Sequence, residues 1–344
     1  MNRKHFITTI IASVAAVKVM GMHDEPVQNQ AHKQLKIPPY LKPGDTIGIT
    51  SPAGYISLEE IEPAVKKIKE WGFDIQIGQT IGKRDFTFGG TDEERLSDMQ
   101  QMLDDKKIKA IMCARGGYGI VRIIDRLNFK KFSVIPKWVI GFSDITVMHS
   151  HIHANYNIAT IHSKMCNSFP TDWNQAEAAQ RQTIESIRES IMGTKAHLWI
   201  PPSKYNKAGK GTGQLVGGNL KTLESISGSS SDIDTKNKIL FVEDTGEYLY
   251  SLDRMFWNLK RSGKLNNLQG LIIGGFKVKK DDAGEEFGKM LEQIVLEKVS
   301  NFNFPVCFDF PVGHQKNNYA LKCGIVHTLH VMPEHVSICE ESNC

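Results

Sequence analysis

WVIGFSDITVMHSH, Trp138–His151, combines an apolar run, a tight turn and a helical pattern in fourteen residues. An apolar run over 137–142 stops at Gly141-Phe142-Ser143-Asp144, and Ile145, Met148 and Ile152 follow at helical spacing. The pattern predicts a strand, a tight turn and a helix. In an open parallel sheet, that unit delivers Ser143 to the C-terminal edge of the strands, where ligands bind. Two readings of Ser143 stay open on local sequence. It is a plain N-cap before Asp-Ile-Thr, or a nucleophile beside the unpaired N–H groups of a helix start. The second glycine of a G-x-S-x-G elbow is missing.

The same rhythm runs outward in both directions. Upstream, 45–50 reads as a strand followed by the turn SPAG, 58–72 as a helix and 73–78 as a strand. Residues 91–107 open with Thr-Asp-Glu-Glu, a capping-box start, and 108–114 is a buried-strand candidate leading into RGGYG, 115–119. Residues 120–129 look helical. Downstream, 171–193 is a helix and 200–213 a Gly-, Pro- and Lys-rich loop. Then come a strand and helix over 213–228, a strand over 238–247 ending in acids, a helix over 250–263 and a strand over 268–276. A helix over 285–300, the stretch FPVCFDFPVGH (304–314) and a β-like tail complete the chain. Strands alternating with helices predict an α/β protein with a parallel sheet.

Composition supports a folded enzyme-sized chain of about two domains. The 344 residues are 40% hydrophobic and 23% charged, with a formal charge of +4. No dense Lys/Arg tract is present, so a nucleic-acid or membrane-surface partner has no support. The six cysteines form no C-x-x-C pair and lack zinc-ligand spacing; Cys339 and Cys344 sit in a polar tail and could pair in an oxidising compartment. Residues 1–22 combine a basic start at Arg3-Lys4 with the apolar run Phe6–Val17, the pattern of an export signal. This points to an exported or periplasmic protein. A cytoplasmic protein with an amphipathic N-terminus is the alternative.

Among candidate site residues, the paired glycines Gly116 and Gly117 allow backbone N–H groups to approach a ligand. His149, His151, His153 and His162 lack a metal motif, and the helical spacing separates His151 from the other two of its run. FVEDTGE places Glu243, Asp244 and Glu247 after an apolar run, and PVGHQKNN presents His314 in a Pro/Gly loop. An acid and a base remote in sequence from a serine are compatible with a triad.

The ordered set GDTIGITSPAG, GGTDEERLSDMQQMLDDKKIKAIMCARGGYG, IGFSDITVMH, LVGGNL, LFVEDTGE…LDRM and FPVGH resembles the LD-carboxypeptidase family of serine peptidases, the murein tetrapeptide carboxypeptidases. The likeness runs from about Leu41 to about Leu329. It implies a flavodoxin-like parallel-sheet N-terminal domain (36–165), a linker region (166–210) and a β-rich swivelling α/β C-terminal domain (211–344) carrying the acid and the base. The family's nucleophile, acid and base fall on Ser143, Glu243 and His314. The backbone at Asp144 with Gly116 or Gly117 would form the oxyanion site. The implied reaction releases terminal D-alanine from a peptidoglycan tetrapeptide in cell-wall recycling, without metal or other cofactor, in a homodimer. Relatives include the microcin C immunity peptidase, which implies an alternative peptide–nucleotide or other amide substrate. A non-catalytic muropeptide binder is the further alternative. Two departures stand out: Phe142 replaces the family's tyrosine, and Ser163-Lys164 replace the Gly-Pro of its Thr-x-His-Gly-Pro motif.

Overall fold

A computed structural model describes residues 34–340; the leader at 1–22 and the Cys344 half of the Cys339–Cys344 pairing lie outside them. The apolar runs read as strands become β1 (Thr46–Thr50), β2 (Asp74–Ile77), β3 (Ile108–Cys113), β4 (Trp138–Gly141) and β5 (Thr160–His162). They pair in parallel in the order β2-β1-β3-β4-β5. This is the flavodoxin-like doubly wound order, whose switch point lies between β1 and β3.

The second sheet takes β6 (His197–Ile200), β7 (Gly209–Asn219), β8 (Lys238–Thr245), β9 (Gly270–Lys277) and β10 (Val306–Cys307). After the intervening β11 (Leu321–Cys323), it adds β12 (Val326–Val331) and β13 (Val336–Cys339). Its order is β10-β9-β8-β7-β12-β13-β6, parallel from β7 to β10 and antiparallel beyond β7. Strand β11 crosses back and pairs antiparallel with β5, Leu321 opposite His162. The loop between β10 and β11 therefore has one end anchored in each sheet, and it carries His314.

The helices are α1 (Leu58–Glu70), α2 (Asp92–Asp104), α3 (Lys130–Val134), α4 (Thr146–Tyr156), α5 (Ala178–Ile191), α6 (Leu220–Ser225), α7 (Leu249–Arg261) and α8 (Leu291–Val299). Thr91 caps α2 in the expected capping box with Glu94. Ile61 and Ile68 of α1 pack with Ile184 and Ile187 of α5 against Ile47, Ile49 and Ile140 of the first sheet. Helix α4 joins the two halves of the protein. Its Val147, Met148 and Ile152 belong to the same core as Leu220 and Leu223 of α6 and Val242 of β8.

Several stretches differ from the expected elements. Residues 120–129 form two 3-10 turns, Ile120–Arg122 and Ile124–Arg126, rather than one helix. Ile120, Ile123 and Ile124 are buried as a helix face would be, but Ile123, at φ −120° and ψ −16°, leaves helical geometry and splits the segment into two turns. The glycines at 209, 211 and 213 open β7 rather than ending a loop. At Gly211 an added Cβ would lie 1.7 Å from the Gln269 carbonyl oxygen, so only glycine lets the neighbouring chain approach. The 285–300 helix shortens to α8 because Gly288 takes φ +75° ahead of it. The stretch 166–210 is more than connection: it supplies α5 to the first core and β6 to the second sheet.

Candidate active site

Two loops meet at the switch point. The turn after β1 and the glycine-rich loop after β3 are joined by a bond from Gly54 N–H to Gly116 O at 2.9 Å. Fully buried Arg95 reinforces them, donating to Pro52 O at 2.7 Å and Gly119 O at 2.9 Å. Arg115 leans away, its guanidinium donating to Tyr55 O at 3.1 Å.

Next to this point β4 ends in extended Phe142, and Ser143 turns the chain with φ +63°. A left-handed serine is uncommon, and such backbone outliers cluster at functional sites. Ser143–Ile145 makes one 3-10 turn before α4, and no side chain caps that turn or α4. The N-cap reading of Ser143 is therefore corrected. The side chain is half-buried and lies against Gly116, where an added Cβ would come within 3.2 Å of Ser143 Oγ and 3.3 Å of Met165 Cε. Gly117 follows with φ +103°.

Asp144 faces inward. Its carboxylate accepts from Ile120 N–H at 2.9 Å and so ties the glycine-rich loop to the serine turn. Burial raises its carboxyl from the ordinary 3.8 to about 6, against the opposing pull of hydrogen bonds from the Ile120 and Gly119 backbone and the Arg95 charge. The folded state thus holds this proton more tightly than the unfolded chain, so stability falls as pH rises from about 4 through 6. Asp144→Asn cannot ionise. Its stability relative to wild type is expected to rise by about 3 kcal/mol between pH 4 and pH 7, in denaturant titrations at each pH. A flat difference across that range would contradict the assignment.

Glu243 and His314 meet across the second sheet's edge. Glu243 sits near the end of β8, at a register irregularity between Val242 and Asp244, and is fully buried. Its Oε2 accepts from His314 Nδ1 at 2.6 Å and from the His314 backbone N–H at 3.1 Å. Gly313 precedes the histidine in close contact with the Glu243 side chain. Buried Asn318 accepts from Gly313 N–H at 2.8 Å and pins the other side of the loop. The His314 side chain keeps 19% exposure, enough to meet a ligand. Its ring centroid lies 4.9 Å from that of Phe142, the residue preceding Ser143. The structure thus brings the histidine and its carboxylate to the serine turn.

The neighbouring acids have other work. Asp244 accepts from Lys221 N–H at 2.8 Å and Thr245 N–H at 2.7 Å, and burial raises its carboxyl to about 6. Glu247 accepts from Ser251 Oγ at 2.6 Å. Thr146 Oγ1, on α4, accepts from Asn219 N–H at 3.0 Å, linking the serine helix to the end of β7. The α4 histidines pack rather than converge. His149 Nε2 bonds Gly141 O at 2.9 Å, and His151 Nδ1 bonds Ser231 Oγ at 2.9 Å. Burial pushes both His149 and His153 down to about 4. His162, fully buried between Phe142 and Phe241, is also held neutral by burial.

Sequence reading missed Arg95, Thr146 and Asn318. Arg95 stands one turn before Met99 on the buried face of α2, and its spacing was the signal that a charged residue there is held inside. Asn318 is one of two adjacent asparagines, and nothing local distinguishes the buried one.

Residues 47–163 match the family model for the LD-carboxypeptidase N-terminal domain, and residues 212–329 match that for the LD-carboxypeptidase C-terminal domain. A relative named "Probable murein peptide carboxypeptidase", from Bacillus subtilis strain 168, is 31% identical over 291 residues, spanning 83% of this chain and 89% of that protein. The microcin C7 self-immunity protein MccF of Escherichia coli is 26% identical over 340 residues, spanning 91% of this chain and 97% of that protein. The crystal structure of muramoyltetrapeptide carboxypeptidase from Oxalobacter formigenes superposes with a TM-score of 0.75 at 25% identity, covering 86% of this chain and 98% of the other. The serine turn thus lies in a chain whose two sheet-bearing halves match one enzyme family in the family's own order, and the protein belongs to the LD-carboxypeptidase family of serine peptidases.

Proposed function

We propose that the protein is a serine LD-carboxypeptidase that releases terminal D-alanine from peptidoglycan tetrapeptides with Ser143, His314 and Glu243. One observation carries the reading: a left-handed serine beside a glycine loop, with a carboxylate-bound histidine packed against the preceding residue. The names of the relatives from Bacillus subtilis and Oxalobacter formigenes support the substrate class.

In this mechanism Ser143 Oγ attacks the carbonyl carbon of the scissile amide while His314 Nε2 takes its proton. Glu243 holds Nδ1–H and stabilises the imidazolium. The oxyanion is met by backbone N–H groups at Asp144 and at Gly116 or Gly117, a contribution of about 3–4 kcal/mol per donor. Collapse breaks the C–N bond, and the His314 proton passes to the leaving D-alanine amine. Water, activated by the same histidine, then frees the acyl group from Ser143.

The test is mass spectrometry of L-Ala-γ-D-Glu-meso-diaminopimelate-D-Ala after incubation with the protein and a chelator. Loss of one alanine is the expected result; an uncleaved peptide would overturn the reading. A peptide–nucleotide amide in a parallel reaction tests the second reading, which the likeness to MccF over 97% of that protein favours. Gly116→Ala is expected to lower kcat by about 10- to 100-fold with the fold intact, since its methyl would press on Ser143 and displace the loop. Unchanged kcat would remove Gly116 from the site. Export directed by residues 1–22 and a homodimeric state are proposals on the same footing, checked by fractionation of cells and by sedimentation.

A further inference from the structure

Beside the His314 loop lies a cavity of about 350 Å³ lined by Lys164, Ser168, Glu177, Gln180, Thr183 and Lys316, with Ile184. Lys164 follows β5, and the Met165 methyl next to it reaches the Gly116–Ser143 contact, so this wall of the cavity is continuous with the serine turn. The Lys164 ammonium donates to Gln315 O at 2.7 Å and sits 5.4 Å from the centre of the Phe142 ring. That ring is the one packed against His314. An ammonium has three N–H donors, and the Gln315 carbonyl uses one. Thr183, 1% exposed, lines the same cavity with its buried hydroxyl unpartnered. Glu177 at the rim is engaged by Lys316 at 2.8 Å.

This inference rests on the carboxypeptidase reading. In that chemistry the histidine hands its proton to the leaving amine. The leaving residue must therefore lie on the histidine side of the serine, away from the glycine loop. Its carboxylate is two bonds from the nitrogen that receives the proton. We propose that this cavity is the subsite for the substrate's terminal carboxylate, with the Lys164 ammonium as its charge partner and the Thr183 hydroxyl as a neutral donor. The ligand class is the free carboxylate of a small residue at a peptide's C-terminus. Lys164 stands where the family motif has proline, so the charge is a property of this chain. Burial pushes Lys164 down to about 8, and Lys277 adds to that push while Glu243 opposes it. An arriving carboxylate would restore the ammonium's favourable surroundings.

The test compares two ligands in the full chain carrying Ser143→Ala: the D-alanine-terminated tetrapeptide and the same peptide ending in D-alaninamide, each titrated by calorimetry. The acid is expected to bind about tenfold or more tighter than the amide. Adding Lys164→Met is expected to remove that preference while leaving amide affinity within about twofold. Adding Thr183→Val is expected to cost the acid about threefold. With Ser143 intact, Lys164→Met should raise KM for the acid about tenfold at nearly constant kcat, the signature of lost uniform binding.

Equal affinity for acid and amide would overturn the subsite. So would a Lys164→Met loss that falls alike on both ligands, which would reduce Lys164 to holding the His314 loop through Gln315. If wild type cleaves neither peptide but Lys164→Met erases an acid preference in binding, the carboxypeptidase reading fails and the subsite stands. If D-alanine is released and Lys164→Met changes neither binding nor KM, the reading stands and the subsite fails.

Discussion

Replacing Ser143 by alanine is expected to lower the rate of D-alanine release by about 10⁶-fold, and His314→Ala should cost about as much. The double variant is expected to be no slower than either single one. A nucleophile without its base, or a base without its nucleophile, performs the same missing step, so the penalties overlap rather than multiply. Residual turnover above the uncatalysed rate would come from the backbone donors near Gly116 and from substrate positioning. The control is an unchanged unfolding midpoint. Ser143 is only half-buried and its side chain caps no helix, so its hydroxyl contributes little to stability. A Ser143→Ala protein with more than about a hundredth of wild-type activity would remove Ser143 from the chemistry.

The second large effect falls on Glu243→Gln. The carboxylate is fully buried and receives two donors from one residue, the His314 ring and its backbone N–H. An amide has one acceptor oxygen and a donor in place of the other. Both donors fall on one oxygen, Oε2: an amide oxygen in that place keeps both bonds but lacks the charge that stabilises the imidazolium, and an NH2 in that place faces Nδ1 and selects the tautomer whose Nε2 carries the proton and cannot accept one from Ser143. The expected loss in kcat is about 10⁴-fold with KM little changed. Circular dichroism should match wild type, because the volume at position 243 is preserved. A loss below about tenfold would show that Glu243 does not control the histidine.

Much of this site was legible from residues alone, and the illegible part has physical causes. The β4 run, the turn at Ser143 and the α4 spacing were clear because period and punctuation agree over fourteen residues. Thr91 and Glu94 announced the start of α2 because a capping box is a local, chemically defined pair. The 3-10 turns at 120–126 were not legible, because their buried positions keep helical spacing and only the backbone departure at Ile123 separates them. Strand β11 was missed because it is three residues long and its pairing with β5 is fixed only by the return of the chain to the first sheet. That same return places His314, so the sequence could mark the histidine but not bring it to the serine. Lys164 was visible only as a departure from a motif. Its bond to Gln315, 151 residues away, gives the departure a meaning.

The most direct test of Ser143 as nucleophile is rapid-quench mass spectrometry of the protein mixed with the tetrapeptide. Acid quenching in the first turnovers, followed by digestion, isolates the peptide containing Ser143. The expected result is a mass increase on Ser143 equal to the L-Ala-γ-D-Glu-meso-diaminopimelyl group, appearing with release of D-alanine and absent from Ser143→Ala. Release of D-alanine with no adduct on Ser143, or an adduct on another residue, would contradict it.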